Sequence, residues 1–470
     1  MEYVNTTISE IIETAQTGKT PSTKEPLYYE GDVMWVTPTD LQGQQYISDT
    51  ITKISDLALL DNQAFLYKEN TVLISCIGDI GKTAIIKKAA SSNQQITGVR
   101  VKENLILPKF FYYWIIRNKQ YLSFKANRVT VPILNNTNLR KIDISYPNDL
   151  EFQRKVVSQL DSVQTYINDK IKTINVLENL IQSIYFKMFG NPVNNQKGFP
   201  RKKLSQVTPK DKIITYGIVQ AGPHIDDGIP YIRTGDIKNG KIVSKNLLRT
   251  TPEIAKKHDR SKCIEGDIIV SIRATVGQCA IIPKELDGAN LTQGTARIRP
   301  NKIVINPNYL FVTLQSEGFQ FLINKYVKGS TFKEITLEKL RNIEIPVPKD
   351  LNLQNRFSQI YESIQDVKNK VEQSLEILQQ LFQVILQNAF KPDVEIDEEP
   401  IFKDLIKKFT VQDLKGNKQR LQYLINLFEQ QNFDEFKDFT ETRKILFELM
   451  DEEEIIQIFG TDNKVKLQVK

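Results

Sequence analysis

The string Gly78-Asp79-Ile80-Gly81-Lys82-Thr83 is the part of this chain that most resembles a phosphate-binding loop. It follows the strand-like run TVLISCI, and its lysine could reach a nucleotide phosphate. A Walker A loop, however, has four residues between its glycines, so that the backbone amides surround the phosphate. The first glycine would then fall at Cys76, and for Gly18-Lys19-Thr20 it would fall at Glu13. We therefore do not expect nucleotide hydrolysis.

Other catalytic patterns are also missing from the sequence. The two histidines, His224 and His258, lie among polar and charged neighbours, which disfavours a zinc site or a Ser-His-Asp triad. Neither Asn191-Pro192 nor Asn306-Pro307 continues into the Pro-aromatic pair of an amino-methyltransferase motif. Pro392-Asp393 is not followed by the acidic-x-Lys triplet of a nuclease site. The sequence therefore predicts a chain with no catalytic residues and no metal ligands.

Length and composition describe an ordinary globular protein of several domains. The 470 residues are 40% hydrophobic and 25% charged, and a chain of this length usually forms two to four domains. No apolar run approaches the ~20 residues that cross a bilayer. The three cysteines lack CxxC spacing and cannot form a paired disulfide framework. We therefore expect a cytoplasmic protein without a membrane partner.

Charge is distributed unevenly along the chain. Residues 393–470 contain 18 acidic and 12 basic side chains, a net charge of −6, and the other 392 residues carry +13. A basic body with an acidic tail suggests that the body binds a polyanion. This surplus of positive charge supports a polyanion partner only if the basic part also has a recognisable architecture.

An internal repeat supplies that architecture. VMWVTPTDL (33–41) matches IPYIRTGDI (229–237) at an offset of 196 residues, and TVLISCIGDIGKTAII (71–86) matches DIIVSIRATVGQCAII (267–282) at the same offset. NLRKIDISYP (138–147) then matches KLRNIEIPVP (339–348) at an offset of 201. Three matched blocks in the same order indicate two copies of one unit, followed by a tail.

Each copy is predicted to contain a globular part and a long helix. The globular part alternates short β-rich runs with Gly, Pro and Asn, and FFYYWIIRN (110–118) and YLFVTLQS (309–316) predict short buried helices. Asp149 and Asp350 are suited to cap the long helices, which Gly190-Asn191-Pro192 and Lys391-Pro392 would end.

Apolar residues recur in each long helix with the alternating 3-4 spacing of a coiled coil, interrupted by Lys170 in the first helix and Lys368 in the second. Each helix lasts about 40 residues, or roughly 60 Å. Two amphipathic helices that each pack on their own domain are the simpler alternative. The predicted seam residues are Leu160, Val163, Ile167, Ile174, Leu177, Ile181 and Ile184, with Tyr361, Ile364, Val371, Leu375, Leu378, Phe382 and Ile385.

Two such helices in one chain can pair with each other. Antiparallel pairing would put the globular domains at opposite ends, related by an approximate two-fold axis, and would hold them a constant distance apart. The seam alone does not settle the direction. The predicted fold is thus α+β, with two similar globular domains, two long helices that form an antiparallel coiled coil, and a small α-helical tail.

This order of parts resembles the specificity subunit of Type I restriction-modification systems. TGKTPS (17–22) is similar to the opening of many target-recognition domains of that family, and YGIVQAGPHIDDGIPYIRTGDI (216–237) to another common opening. VKGSTFKEITLEKLRNIEIPVP (327–348) resembles a common ending. The resemblance covers roughly residues 1–392. Each piece is short, but the order and duplication make the match specific.

The resemblance implies a role in recognition. In that family each globular domain recognises one half of a split sequence in double-stranded DNA, and the helices set the unread spacer and dock two methyltransferase subunits. Those subunits bind S-adenosylmethionine, and a separate motor-nuclease subunit cuts the DNA. The present chain would then bind no cofactor and perform no chemistry. A self-sufficient DNA methyltransferase or nuclease, and a coiled-coil scaffold that reads no sequence, remain the alternatives.

Candidate DNA-binding residues are cationic or amide side chains in loop-like settings, where they could contact phosphates or base edges. Arg273 is the most informative, because it replaces Ile77 of the first copy and differences between copies must encode different half-sites. The candidates are Lys19, Lys82, Arg100, Lys125, Asn127 and Arg128 in the first copy, and Tyr216, Arg233, Arg260, Lys262, Arg273, Lys328 and Lys333 in the second.

We assign five segments. Residues 1–148 and 191–348 are the two target-recognition domains, called the first head and the second head below, and 149–190 and 349–392 are the long helices. Residues 393–470 form an acidic linker and an extension in which LQYLINLFEQ (421–430) and TRKILFELMDEEEIIQIF (442–459) predict amphipathic helices. This extension is expected to contact a methyltransferase or nuclease subunit, or else to act as a solubilising appendage.

Overall fold

The computed structural model describes residues 2–128, 131–329, 333–390, 455–459 and 465–469. The chain forms two compact units, Met1–Asp169 with Leu375–Lys470, and Lys170–Ser374. Each unit contains one head together with one half of each long helix. The boundaries of the five segments assigned from the sequence remain a prediction. No helix among the described residues is long and apolar enough to cross a membrane.

The first unit is built on a five-stranded sheet in the order β2-β9-β6-β7-β4, beside a three-stranded sheet β5-β3-β8 and the pairs β1-β12 and β10-β11. The strands are β1 Tyr3–Thr7, β2 Ile12–Thr17, β3 Val33–Val36, β4 Tyr46–Ile47, β5 Lys53–Ile54, β6 Val72–Ser75, β7 Thr83–Ile86, β8 Ala90–Ser92, β9 Ile96–Val101, β10 Asn127–Arg128, β11 Pro132–Ile133 and β12 Asp143–Pro147. The helices are α1 Ile8–Ile11, α2 Asp56–Leu60, α3 Pro108–Arg117, α4 Lys119–Phe124, α5 Asn136–Arg140 and α6 Leu150–Phe189, with a 3-10 turn at Pro26–Tyr29.

The second unit is built on a four-stranded sheet in the order β14-β22-β19-β20, beside a three-stranded sheet β18-β15-β21 and the pairs β13-β23 and β16-β17. The strands are β13 Arg201–Lys203, β14 Thr215–Tyr216, β15 Ile229–Ile232, β16 Ile237–Lys238, β17 Lys241–Ile242, β18 Arg249–Thr250, β19 Ile268–Ser271, β20 Cys279–Ile281, β21 Asn290–Leu291, β22 Thr295–Ile298 and β23 Glu344–Pro346. The helices are α7 Pro252–Lys257, α8 Pro307–Gln315, α9 Glu317–Asn324, α10 Leu337–Asn342 and α11 Leu351–Asn388, with 3-10 turns at Leu204–Gln206, Thr234–Asp236, Asp259–Ser261 and Lys284–Leu286.

Strand pairing confirms the internal repeat. Val72 pairs with Ile85 in the hairpin β6-β7, and Ile268 pairs with Ile281 in the hairpin β19-β20, so both partners are displaced by the 196 residues found in the sequence. The parallel pair β3-β8 has its counterpart in β15-β21. The same chain topology is therefore built twice.

A short helix at the centre of each head is buried, as the sequence predicts. Phe110, Phe111 and Tyr113 of α3 are at most 1% exposed, and so are Tyr309 and Leu310 of α8. A helix that is apolar on all sides is stable only when protein covers every face. Both helices therefore anchor the heads.

Capping and a buried glutamine position the start of each long helix. Asp149 Oδ1 accepts from Glu151 N at 2.8 Å, and Asp350 Oδ1 accepts from Asn352 N at 2.8 Å, which confirms the predicted caps. One turn later, the fully buried Gln153 donates to the carbonyls of Leu105 and Pro147, both at 2.9 Å, and accepts from Leu107 N at 2.8 Å.

Gln354 makes the equivalent contacts in the second head. Its side-chain amide donates to Pro348 O at 2.9 Å and its carbonyl oxygen accepts from Asn306 N at 2.8 Å. The two glutamines are related by the 201-residue offset of the repeat. Each one joins the long helix to the loop before α3 or α8.

The long helices pair antiparallel in both units. In the second unit, Phe357 lies near the start of α11 and packs on Phe189 at the end of α6, with ring centroids 5.4 Å apart, whereas Lys368, further along α11, contacts Glu178, earlier in α6. In the first unit, Val156 to Ile167 of α6 share one core with Phe382 to Ala389 of α11. The antiparallel coiled coil expected from the sequence is therefore confirmed.

Burial along the seam is uneven. Leu160, Val163, Ile167, Ile181, Tyr361, Phe382 and Ile385 are at most 9% exposed. The remaining predicted seam residues are half-buried, namely Ile174, Leu177, Ile184, Ile364, Val371, Leu375 and Leu378. Two long helices covered by only one partner each leave part of their apolar stripe at the surface.

The described part of the C-terminal extension corrects one expectation. Ile455–Phe459 and Val465–Val469 form an antiparallel strand pair, β24-β25, so the predicted helix 442–459 is wrong at residues 455–459. The run IIQIF is rich in β-branched residues, which favour strands. The rest of that helix, the helix at 421–430 and the linker lie outside the described residues.

Candidate nucleic-acid interface

The glycine-rich string of the first head is the turn of a hairpin. Ser75 Oγ donates to Asp79 O at 2.5 Å and accepts from Lys82 N at 2.9 Å, and Gly78 and Gly81 have positive φ angles of 80° and 85°. The strand β7 follows directly. A phosphate loop instead leads into a helix, whose N-terminal amides bind the anion. The string is therefore a β-hairpin turn at one edge of the first head, and it does not have the geometry of a phosphate-binding loop.

The second head repeats this turn between β19 and β20. Ser271 Oγ donates to Thr275 O at 2.6 Å, and Gly277 N donates to Ser271 O at 2.9 Å, as Gly81 N does to Ser75 O at 3.0 Å. Since the second turn has no Lys-Thr pair, the shared feature is its geometry rather than a phosphate-binding motif.

A second loop joins each turn through backbone pairing. In the first head, Ile77 pairs with Ile133, and Gly78 N donates to Pro132 O at 3.0 Å. In the second head, Arg273 pairs with Glu334, and Ala274 N donates to Lys333 O at 2.9 Å. The two arrangements are equivalent, with one offset of 196 on the turn and one of 201 on the loop.

Two further segments reach the same end of each main sheet. In the first head, Cys76 N donates to Gln95 O at 2.7 Å and Gly18 N donates to Ile96 O at 2.9 Å. In the second head, Ile272 N donates to Gly294 O at 2.8 Å and Gly217 N donates to Thr292 O at 3.1 Å. We call these surfaces the first loop edge (17–20, 75–82, 93–97, 125–128 and 131–134) and the second loop edge (216–218, 271–278, 292–296, 327–329 and 333–335).

The first loop edge contains most of the cations predicted in the first head. Lys19 is exposed, with its ammonium 3.1 Å from Asn62 O, and Lys125 is exposed beside the Tyr121 ring. Lys82 pairs with Asp79 at 3.5 Å. The backbones of Asn127 and Arg128 pair with β11.

Arg100 lies elsewhere. It is on β9 opposite Thr14, and its guanidinium donates to Glu13 Oε2 at 2.8 Å and to Glu69 O at 3.0 Å. The loop edge begins at the other end of the β2-β9 pair, where Thr17 is opposite Thr97. The structure therefore does not bring Arg100 together with the other candidates.

Lys119 is a further cation beside the first loop edge, and it was not among the candidates predicted from the sequence. Its ammonium is 2.9 Å from Asp79 Oδ1 and holds the pKa of that carboxyl below its usual value. The side chain of Lys119 packs against Gly81, as Gln320 of the second head packs against Gly277. Extending the 201-residue offset back to this helix would have paired the two residues.

The second loop edge gathers Tyr216, Arg273, Lys328 and Lys333. Lys328 and Lys333 are exposed and have no side-chain partner among the described residues. Arg273 is 48% exposed, and its Nε lies 3.5 Å from Glu334 Oε2. Tyr216 is half-buried opposite Ala296.

Arg233 borders the second loop edge. Its guanidinium donates to both carboxylate oxygens of Asp236, at 2.9 and 3.0 Å, and this hydrogen bonding raises the pKa of Arg233. A Cβ on Gly294 would lie 3.0 Å from Thr234 Cγ2 and 3.9 Å from Arg273 Cβ, so the Arg233 turn is next to Arg273.

Arg260 and Lys262 belong to another part of the second head. Lys262 O accepts from Arg297 Nη1 at 2.8 Å, and Arg297 is near the end of β22 that pairs with Ile268. The loop edge is at the opposite end of β22, where Thr295 pairs with Ser271. The structure thus separates these two cations from Arg273, Lys328 and Lys333.

The chemistry available at the two loop edges is hydrogen bonding and charge attraction. Within the described ranges, no group of three or more His, Cys, Asp or Glu side chains could hold a metal ion. Cys76, Cys263 and Cys279 are buried, and burial raises the pKa of each thiol. What the edges present is exposed cations on hydrogen-bonded turns, a combination suited to phosphates and base edges.

Comparison with known proteins identifies this architecture. The family model described as the Type I restriction modification DNA specificity domain matches residues 1–179 and again residues 201–382. The two matches follow the internal repeat and together cover most of the chain.

Individual relatives agree. The specificity subunit of the Type I restriction enzyme EcoBI of Escherichia coli is 24% identical, over 70% of this chain and 74% of the relative. That of MjaIX of Methanocaldococcus jannaschii is 22% identical, over 81% and 91%. The fold is similar to the crystal structure of the S subunit from M. genitalium, with a TM-score of 0.52, 13% identity, and coverage of 84% of this chain and 97% of that one. The chain therefore belongs to the family of Type I restriction-modification DNA specificity subunits, the non-catalytic subunits with two target-recognition domains.

Proposed function

We propose that each head reads one half of a bipartite sequence in double-stranded DNA through its loop edge. The observation that carries this proposal is the equivalence of the two edges: the same turns meet at the same end of the sheet, but with different side chains. Two half-sites of different sequence require different side chains, and these can be carried on the same backbone turns. Phosphate contacts by lysines would position the duplex, and base contacts would specify it.

In this proposal the paired helices set the spacer between the half-sites and dock two methyltransferase subunits, and a motor-nuclease subunit completes the complex. S-adenosylmethionine would be bound by the methyltransferase subunits and no cofactor by this chain, which would work in the cytoplasm. Exposed apolar residues of α6, such as Ile171, Val176 and Leu180, which are 42–55% exposed, support a role for the coil in binding further protein.

Reconstitution tests the proposed division of labour. The purified chain, mixed with DNA and a labelled methyl donor, should transfer no methyl groups until methyltransferase subunits are added. Methylation sequencing of a host with and without the gene should then reveal a split adenine-methylation motif that depends on the gene. Methyl transfer by the chain alone would support the self-sufficient enzyme, and an unchanged methylome would support a scaffold that reads no sequence.

Matched lysine substitutions test the loop edge itself. Lys333→Ala should weaken binding to all duplexes and reduce the slope of log affinity against log salt by about 1, as expected for the loss of one phosphate contact. Lys262→Ala, on the same head but at the other end of β22, is the control and should leave the slope unchanged. Equal slopes for both variants would place the DNA elsewhere.

A further inference from the structure

One pair of facing residues differs in chemical character between the two loop edges. At equivalent positions, the first edge has Ile77 opposite Ile133 and the second has Arg273 opposite Glu334. The backbone hydrogen bonds around both pairs are the same, since Leu134 N donates to Cys76 O at 2.8 Å and Ile335 N to Ile272 O at 3.0 Å. An apolar pair has therefore been exchanged for an ion pair within an otherwise constant framework.

An ion pair with Glu334 places Nε of Arg273 beside a carboxylate and leaves the terminal nitrogens available. Arg273 Nε lies 3.5 Å from Glu334 Oε2, and the side chains are 48% and 54% exposed. Neither Nη atom of Arg273 has a hydrogen-bond partner among the described residues. A guanidinium held through Nε presents two parallel N–H groups at its far end, the arrangement that pairs with O6 and N7 of guanine in the major groove.

The backbone at this position is held in a costly conformation. Ala274 has φ +58°, whereas the equivalent Gly78 has φ +80°. A left-handed alanine is unfavourable, and such residues persist only where the surroundings determine them. Here Ala274 N donates to Lys333 O at 2.9 Å, and Ser271 Oγ donates to Thr275 O at 2.6 Å. Arg273 thus projects from a turn whose backbone is hydrogen-bonded on both sides.

The charges around Arg273 suit a duplex. Lys328 pairs with Glu334 along the backbone, Lys333 is its chain neighbour, and both ammonium groups are exposed. These cations can contact phosphates on either side, while Glu334 balances the charge of the one guanidinium that must leave water.

We propose that Arg273, positioned by Glu334, reads a guanine in the major groove of the second half-site. The inference rests on the proposed function, because it assumes that the second loop edge contacts DNA. Glu334 acts as a positioning residue. The first head, with Ile77 and Ile133 at this place, has no counterpart to this contact.

The test is methylation sequencing of a host without other methylation, in which the chain is expressed with its methyltransferase subunits. Arg273→Ile, which installs the side-chain type of the first head, should make one guanine position of the second half-site degenerate and leave the first half-site unchanged. On oligonucleotides with the intact site, the methylation rate should fall about 5- to 150-fold, the discrimination usual for one bidentate contact. The methylation rate with Arg273→Lys should also fall, because lysine lacks the two parallel N–H groups of a guanidinium.

An atomic substitution in the DNA completes the test. Replacing the assigned guanine by 7-deazaguanine removes the N7 acceptor, so it should slow methylation by the wild-type complex but not by the Arg273→Ile complex. Glu334→Gln should slow methylation less than Arg273→Ile and keep the same base preference, whereas Lys262→Ala should change nothing.

Each outcome bears on one claim. A second half-site made only of A·T pairs, or an identical motif for wild type and Arg273→Ile, would overturn the role of Arg273 and leave the proposed function intact. Absence of any bipartite motif with the wild-type chain would instead remove the proposed function. If Arg273→Ile failed to fold, Arg273→Lys with 7-deazaguanine would still decide the question.

Discussion

The Lys368 ammonium lies 2.5 Å from Glu178 Oε1 and so joins α11 to α6 within the second unit. Lys368 interrupts the apolar seam, and only 6% of its side chain is exposed. Glu372 Oε1 lies 3.7 Å from the same ammonium, and Glu372 Oε2 accepts a hydrogen bond from Lys241 of β17. The network therefore ties the second head to both helices, and a polar residue at a seam position is a known way to define register.

Removing the partner of Lys368 should destabilise the protein more than removing Lys368 itself. Glu178→Gln leaves a buried ammonium with less compensation, so we expect the free energy of unfolding to fall by about 1–3 kcal/mol. Lys368→Met fills the seam with an apolar side chain and should stay within about 1 kcal/mol of the wild type. Urea denaturation followed by circular dichroism measures both.

Asp366→Asn, on the exposed face of α11, is the control for this pair and should have no effect. A Lys368→Met variant that is less stable than Glu178→Gln would contradict the prediction, because it would make the ion pair itself a net source of stability.

The two helix-start glutamines should differ in their importance. Gln153→Leu leaves three backbone groups without their hydrogen-bond partner, and Gln354→Leu leaves two. Each unsatisfied group lowers the free energy of unfolding by about 1–3 kcal/mol, so both variants should be less stable than the wild type, and Gln153→Leu should be the less stable of the two. Thermal unfolding measures the order. Gln359→Leu, on an exposed helix face, should change little, and equal stability of all three variants would refute the assigned role.

Exchanging the residues at the left-handed turn position should move stability in opposite directions. Ala274→Gly relieves the strained φ and should stabilise by about 0.5–1 kcal/mol, the conformational strain less the entropy of glycine. Gly78→Ala should destabilise by a similar amount, about 0.5–1 kcal/mol, through the backbone alone, since no atom lies within 4 Å of an added Cβ. Chemical denaturation of both variants checks the signs, and a stabilising Gly78→Ala would show that φ at this turn is not constrained.

The cysteines should be unreactive in the folded protein. Burial raises the pKa of Cys76 to about 11 and that of Cys279 to about 12, and it also raises the pKa of Cys263. A raised pKa means that almost no thiolate, the reactive form, exists at pH 8. We expect no reaction with a disulfide reagent at that pH, and three reactive thiols after denaturation in guanidinium. Rapid labelling of the native chain would show that a head opens readily.

Local features of the chain could be predicted from the sequence because each depends on neighbouring residues. The repeat, the caps Asp149 and Asp350, the buried helices α3 and α8 and the long helices follow from spacing and from short blocks. The strand at 455–459 was not predicted, because a short apolar run such as IIQIF is compatible with either helix or strand.

Only the tertiary structure decided which cations share a surface. Arg100, Arg260 and Lys262 were cationic candidates in loop-like settings, as Lys328 and Lys333 were, yet the strand register places them away from the loop edges. Lys119 and Glu334 come to those edges through contacts with residues about 40 and 60 positions earlier in the chain. Side-chain type and local spacing are properties of a short segment, whereas the meeting of two loops depends on long-range strand pairing. Composition therefore determined that this chain has a basic body, and the pairing of distant strands determined where that charge gathers on each head.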